Sequence, residues 1–296
     1  MSRLLLGLLW LLHWLPYPLL GRLGHGLGLL LWALPTRRRD VVLRNLELCF
    51  PDWTPERRRE VARAHFICVA RALLDRAWLW WASPRRLTPR LQLDGEVDAA
   101  LHGDGAVLLM GQHFEGMDAA WTALTLAAHR PLSGMYTPQK NQVMDAWVLR
   151  GRSRFQTKRI VSRREGAGGM LRALRRGTPF YTLPDMDFGA RHSHFIPFFG
   201  VPAATLDIVP RLALSAKARV YPVTAMLLPD YRGYRVTVHP QWRAFDPTAL
   251  RDDAVLDAEL LALNHFLEQR IVEMPEQYHW VHKRFKTRPE GQPSLY

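Results

Sequence analysis

The chain has 296 residues, 48 % of them hydrophobic, enough for one large α/β domain or two small ones with a well-buried core. No Gly/Ser-rich linker, internal repeat or low-complexity tract appears beyond a Leu-rich start, which excludes a flexible or repetitive architecture. The formal net charge of +13, carried almost wholly by arginine, favours an anionic partner, either nucleic acid or an acidic lipid surface.

Residues 4 to 20 read LLLGLLWLLHWLPYPLL, an uncharged run about as long as a short membrane span. After Arg22 and His25 it continues into GLGLLLWAL at 26 to 34. No Ala-x-Ala-like site follows, so residues 1–35 read as an uncleaved membrane anchor with Trp10, Trp14, Tyr17 and Trp32 near the interface. Pro16 and Pro18 leave two geometries open, a tilted span or a helix dipping into one leaflet. Arg37, Arg38, Arg39 and Arg44 then place positive charge on one side, so the body is expected to face the cytoplasm at the inner membrane. The basic helical stretch 36–90, with Arg57, Arg58, Arg59, Arg63, Arg71 and Arg76, reads as a membrane-proximal part attracted to anionic headgroups. No recognition motif accompanies the charge, which argues against nucleic acid. Cys49 and Cys68 form neither a CxxC nor a metal cluster and read as free thiols in a reducing compartment.

Thr54-Pro55-Glu56 starts a helix that runs to about Trp81, with Phe66, Val69, Leu73, Ala77 and Trp80 as its apolar stripe. The Trp78–Trp81 cluster fits either a core or a lipid surface. From about residue 91 short strands alternate with helices. Strands are expected at 105–110, 178–183, 220–228 and 234–239, helices at 116–128 and, capped by Asp252, along Leu256, Leu260, Leu263, Leu267 and Ile271. This alternation argues for an α/β sheet covered by helices.

The sharpest local feature is GQHFEGMD at 111–118, between a buried strand and a helix, where open α/β sheets place ligands. Residues five apart on one helix point about 140° apart. With His113 in the loop and Asp118 in the first helical turn, however, the carboxylate is expected to reach back, fix the imidazole tautomer and leave the other nitrogen as a base.

GQHFEGMD resembles the His-x4-Asp/Glu motif of glycerolipid and lipid A acyltransferases. Four further stretches narrow the resemblance to the lipid A late acyltransferase family: RNLELCFP (44–51), MYTPQKNQVMD (135–145), YTLPDMDFGARHSHFIPFFGVPAAT (181–205) and PEQYHWVHKRFKTRPEG (275–291). Together they span essentially the whole chain. The resemblance implies a glycerolipid acyltransferase-like central mixed sheet covered by helices over 36–296, behind the anchor. It implies acyl transfer from an acyl carrier protein thioester to a hydroxyl of a 3-hydroxyacyl chain on a lipid A precursor, with no metal and no cofactor. Residue by residue it implies His113 as base, Asp118 as its orienting acid and Arg152 as an active-site cation; Gln112, Arg154, Asp185 and Asp187 are assigned to substrate binding. Thr137 and Gln142 depart from the family pattern, which has Arg and Pro at these positions. That departure leaves room for another lipid acceptor, such as a lysophospholipid or glycolipid. A non-catalytic basic membrane scaffold is a further alternative, against which Asp118 and the Arg152 segment argue. The His-x-His at His192 and His194 lacks a third ligand, so no metal site is expected.

Overall fold

The Leu-rich start folds as two helices. In the computed structural model, which describes residues 2–191 and 193–296, α1 (Ser2–Leu12) ends before Pro16 and Pro18, and α2 (Tyr17–Ala33) begins beyond the break. The Arg86 guanidinium closes that break, donating to the carbonyls of His13 and Leu15 at 2.8 Å each. Among the described residues no helix is long and apolar enough to cross a membrane, so the expected membrane-anchor helix is corrected.

The break leaves helices of 11 and 17 residues; beyond α3 (Arg37–Cys49), α4 (Pro55–Trp81) in turn covers one face of α2. On α2, a Cβ at Gly24 would meet the Arg71 Cα at 2.8 Å, and one at Gly28 would meet the Ile67 Cα at 2.4 Å. The glycines therefore let α2 lie directly on the α4 backbone, and that face of the apolar run is covered by protein. Leu8, Leu11, Trp14, Leu19 and Leu23 face outward instead.

Helix α4 starts as expected, with the Thr54 hydroxyl accepting from the Arg57 N–H at 3.2 Å. Phe66, Ala77 and Trp80 of its stripe are buried, but Leu73 is 41 % exposed. Trp78 and Trp80 belong to the core. Arg71 and Arg76, expected among the headgroup arginines, turn inward: Arg71 is buried over the Tyr231 ring, and Arg76 pairs with Asp118.

Past α5 (Pro84–Leu87) come β1 (Leu91–Gly95), α6 (Val97–Leu101), β2 (Val107–Gly111), α7 (Met117–Ala127), β3 (Leu132–Tyr136), α8 (Gln142–Arg152), β4 (Thr157–Ser162), α9 (Gly166–Arg175) and β5 (Phe180–Thr182). A hairpin of β6 (Ser193–Phe198) and β7 (Val201–Leu206) leads to α10 (Ile208–Ala216), β8 (Arg219–Leu227), β9 (Tyr234–Val238) and α11 (Asp253–Glu273). Seven strands form one sheet in the order β1-β9-β8-β2-β5-β3-β4, parallel throughout except for β8 against β9. This is the mixed sheet expected.

Strand β2 lies at its centre and is buried at all five residues, as a strand covered on both faces must be. Val107 and Leu109 join the core with Trp78 and Trp121, while Leu108 and Met110 join the opposite core with Met170, Leu174 and Leu212. Helices α4 and α7 thus cover one face, α9 and α10 the other. The β6–β7 hairpin turns through Phe199 (φ 49°) and Gly200 (φ 77°), the positive-φ pair that a two-residue turn requires.

Candidate active site

Strands β2 and β5 are parallel neighbours with Met110 opposite Thr182. Three residues further along each chain stand His113 and Asp185. The imidazole Nδ1 lies 2.8 Å from Asp185 Oδ1, and the His113 backbone N–H donates to Oδ2 at 3.0 Å. Burial pushes the Asp185 carboxyl up, but the His113 side chain and backbone N–H outweigh it and hold the group below its ordinary value. An ionised carboxylate only accepts, so Nδ1 carries the proton and Nε2 is left as the basic nitrogen.

Asp118 does not hold that imidazole, and the expected reach-back is corrected. Its Oδ1 takes Arg152, with Nε at 2.8 Å and Nη2 at 2.7 Å, and its Oδ2 takes Arg76 Nε at 2.8 Å. Two guanidiniums, one from α4 and one from the end of α8, converge on a buried carboxylate in the first turn of α7. Against the upward push of burial, Arg152 and Arg76 hold Asp118 below its ordinary value. One carboxylate between two guanidiniums leaves a net positive charge beside His113.

The segment 275–291 closes the site from below. Phe114 and Tyr278 form an antiparallel bridge, the His279 N–H donates to the His113 carbonyl at 2.8 Å, and the Glu115 N–H donates to the Gln277 carbonyl at 2.8 Å. The Glu115 Oε1 lies 2.7 Å from His279 Nδ1. Asn45, from the 44–51 stretch, supports this segment by donating to the carbonyls of Trp280 and His282 at 2.8 Å each.

His113 opens onto a cavity of about 430 Å³ whose polar wall includes Arg76, Arg152, Arg163 and His279. Its apolar wall is built from Leu73, Trp80, Met117, Met135, Trp147, Leu183 and Phe188. Thr137, one of the two departures, lines it as well. Across Trp147 a second groove, of about 660 Å³, runs between α1 and α8 past Leu6, Trp10 and Trp81.

The remaining expected residues are placed differently. Arg154 does not line the cavity; its guanidinium donates to the Leu79 and Ala82 carbonyls at 2.7 and 2.8 Å, capping the end of α4. Asp187 accepts from the Thr287 N–H at 2.6 Å and its hydroxyl at 2.8 Å, stitching its loop to the 275–291 segment. The Gln112 side chain is buried without a partner among the described residues and lies off the cavity wall. His192 falls outside the described residues. His194 pairs with Asp257 at 2.5 Å, and among the described residues no group of three or more His, Cys, Asp or Glu is placed to hold a metal.

Sequence reasoning did not single out Arg76 or the Glu115–His279 pair for the site. Arg76 was indistinguishable from its basic neighbours, and His279 sits at an unspecified position of its motif, so no local signal marked either.

An oriented imidazole beside clustered guanidiniums and an apolar wall suits acyl transfer, in which a hydroxyl loses a proton as negative charge grows on a carbonyl oxygen. Comparison with known proteins gives the same direction. Residues 2–287 match the family model described as bacterial lipid A biosynthesis acyltransferase. The chain is 35 % identical to the lipid A biosynthesis lauroyltransferase of Escherichia coli (strain K12), over 98 % of this chain and 93 % of that protein. It is 32 % identical to the palmitoleoyltransferase of the same organism, over 98 % and 92 %, and 32 % identical to a lipid A biosynthesis acyltransferase of Haemophilus influenzae, over 95 % and 89 %. The protein is therefore an acyltransferase belonging to the bacterial lipid A biosynthesis acyltransferase family.

Proposed function

We propose that this enzyme transfers a fatty acyl group from an acyl carrier protein thioester to the hydroxyl of a 3-hydroxyacyl chain on a lipid A precursor. The observation that carries the reading is the Asp185-held imidazole of His113 on an apolar cavity ringed by arginines. His113 Nε2 takes the acceptor's hydroxyl proton, and the oxygen attacks the thioester carbon. Arg152 and Arg76, positioned by Asp118, meet the negative charge of the tetrahedral intermediate or the phosphates of the acceptor. The apolar wall receives hydrocarbon, in keeping with the lauroyl and palmitoleoyl groups in the relatives' names. Arg163, which lines the same cavity as Thr137, is a cation available to an anionic acceptor where the family's Arg is replaced.

The outward leucines and tryptophans of α1 and α2, with the arginines of α3, favour seating on an anionic inner-membrane surface from the cytoplasmic side. Purified enzyme given acyl carrier protein thioester and a tetra-acylated lipid A precursor should add one acyl chain, read by mass spectrometry, and His113→Ala should abolish the product. Undiminished product from that variant would sink the assignment of the base.

A further inference from the structure

We propose that His279, held by Glu115, is the general acid of the reaction, protonating the departing thiolate while His113 deprotonates the attacking hydroxyl. The inference rests on the thioester reading above and adds a second, separate proton transfer to it.

Both imidazoles line one cavity, with ring centroids 6.4 Å apart. A single tetrahedral carbon carries the attacking oxygen and the departing sulfur, so two imidazoles flanking one space can serve one substituent each. The His279 ring is fixed from two sides, by its backbone bond to His113 and by the 2.7 Å contact of Nδ1 with Glu115. The side chain remains 28 % exposed toward the cavity, and among the described residues Nε2 has no protein partner.

Of the pair only the carboxylate is buried; the imidazole stays open to the cavity. Other charged or titratable groups around the pair are His65, Cys68, Arg76, His113 and His282. His65 is fully enclosed, bonds the Glu276 carbonyl, and is pushed down to about 4 by burial; His282 is likewise pushed down to about 4. Both are therefore neutral at pH 7. Glu115, although raised by burial, is held below its ordinary value chiefly by His279. The carboxylate is thus charged, and the His279 imidazole is its direct partner, with Nδ1 2.7 Å from Oε1.

The chemistry balances without a further reactant. The acceptor O–H breaks and its proton goes to His113; the C–O bond forms; the C–S bond breaks and sulfur takes the His279 proton. His113 ends protonated and His279 neutral, and exchange with solvent restores both. A cysteine-type thiol has a pKa of about 8.5, so its thiolate gains from protonation at neutral pH, whereas a nitro-substituted aryl thiolate departs without it.

The test uses the full chain and two donors with the same acyl group, an N-acetylcysteamine thioester and a p-nitrothiophenyl thioester. His279→Gln should lose about 10²-fold in kcat on the alkyl donor and less than about 3-fold on the aryl donor, the size expected for loss of one proton transfer. Glu115→Gln, which keeps the imidazole, should show the same donor selectivity at smaller amplitude, and it serves as the test if His279→Gln fails to fold. Equal losses on both donors, or none on either, would overturn the proposal. His113→Ala should be inactive on both donors; activity there would instead overturn the underlying assignment of the base, which separates the two failures.

Discussion

His113 and Asp185 are brought together by sheet register: each stands three residues beyond the Met110–Thr182 pair of two adjacent parallel strands, and the carboxylate engages both the ring and the backbone of the histidine. The pair thus sits in the loops just beyond the carboxyl ends of two central strands. Asp185→Asn keeps the shape but offers an amide where the ring N–H needs an anion. Activity should fall by about 10²–10⁴-fold with little change in melting temperature. Initial rates and a thermal melt check both halves; near-normal activity would refute the orienting role.

Asp118 should behave differently because its partners are arginines. Asp118→Ala leaves two partly buried guanidiniums without their countercharge, which should cost about 3 kcal/mol of stability as well as activity. Urea unfolding read by Trp fluorescence measures this, and the combined Asp118→Ala, Arg76→Ala variant should recover part of the loss.

Asp75 gives a pH dependence of stability. Buried against the hydroxyls of Tyr17 and Tyr234, it is raised by burial from 3.8 to about 6, the hydroxyl bonds and Arg71 offsetting only part of that push. Between those values the folded chain holds a proton that the unfolded chain has released, so this group's contribution falls as pH rises from about 4 to 6 and is constant above. The full difference corresponds to about 3 kcal/mol. Asp75→Asn cannot titrate, so its stability relative to the parent should improve across that window and then level off. A difference independent of pH would contradict this.

The glycine seam separates packing from composition. Gly28→Val should destabilise by about 1–3 kcal/mol or more, because the added carbons meet the α4 backbone. Gly26→Ala, on the same helix with nothing within 4 Å of its added Cβ, should stabilise by about 0.5–1 kcal/mol through helix propensity. Differential scanning calorimetry distinguishes them by sign.

Interfacial seating is tested by flotation with anionic vesicles. Replacing Leu8, Leu11 and Trp14 together with Asp should abolish co-flotation, and raised salt should weaken parental binding by screening the arginines. Unchanged flotation of the triple variant would show that these side chains do not meet the bilayer.

Much of the fold was legible where the element is long and well capped, as in α4 and α11, or almost uniformly buried, as in β2 and β8. The strands β3, β4, β6 and β7 were not, since they mix buried with exposed positions and lack sustained alternation. At the site, His113 and Asp185 were each singled out, but their partnership was not. Asp118 is five residues away in sequence and Asp185 is 72, and only sheet register reveals which one is near in space. The apolar start misled for a related reason: hydropathy counts leucines, whereas the spacing of Gly24 and Gly28 decides what they lie against.

The Phe114–Tyr278 bridge carries a consequence for how the molecule is made. It joins positions 164 residues apart, so it cannot form until nearly all of the chain has been made. A nascent chain can bring His113 to Asp185 well before Tyr278 has left the ribosome. On such a route the His113 imidazole meets its carboxylate before the segment beneath it is in place.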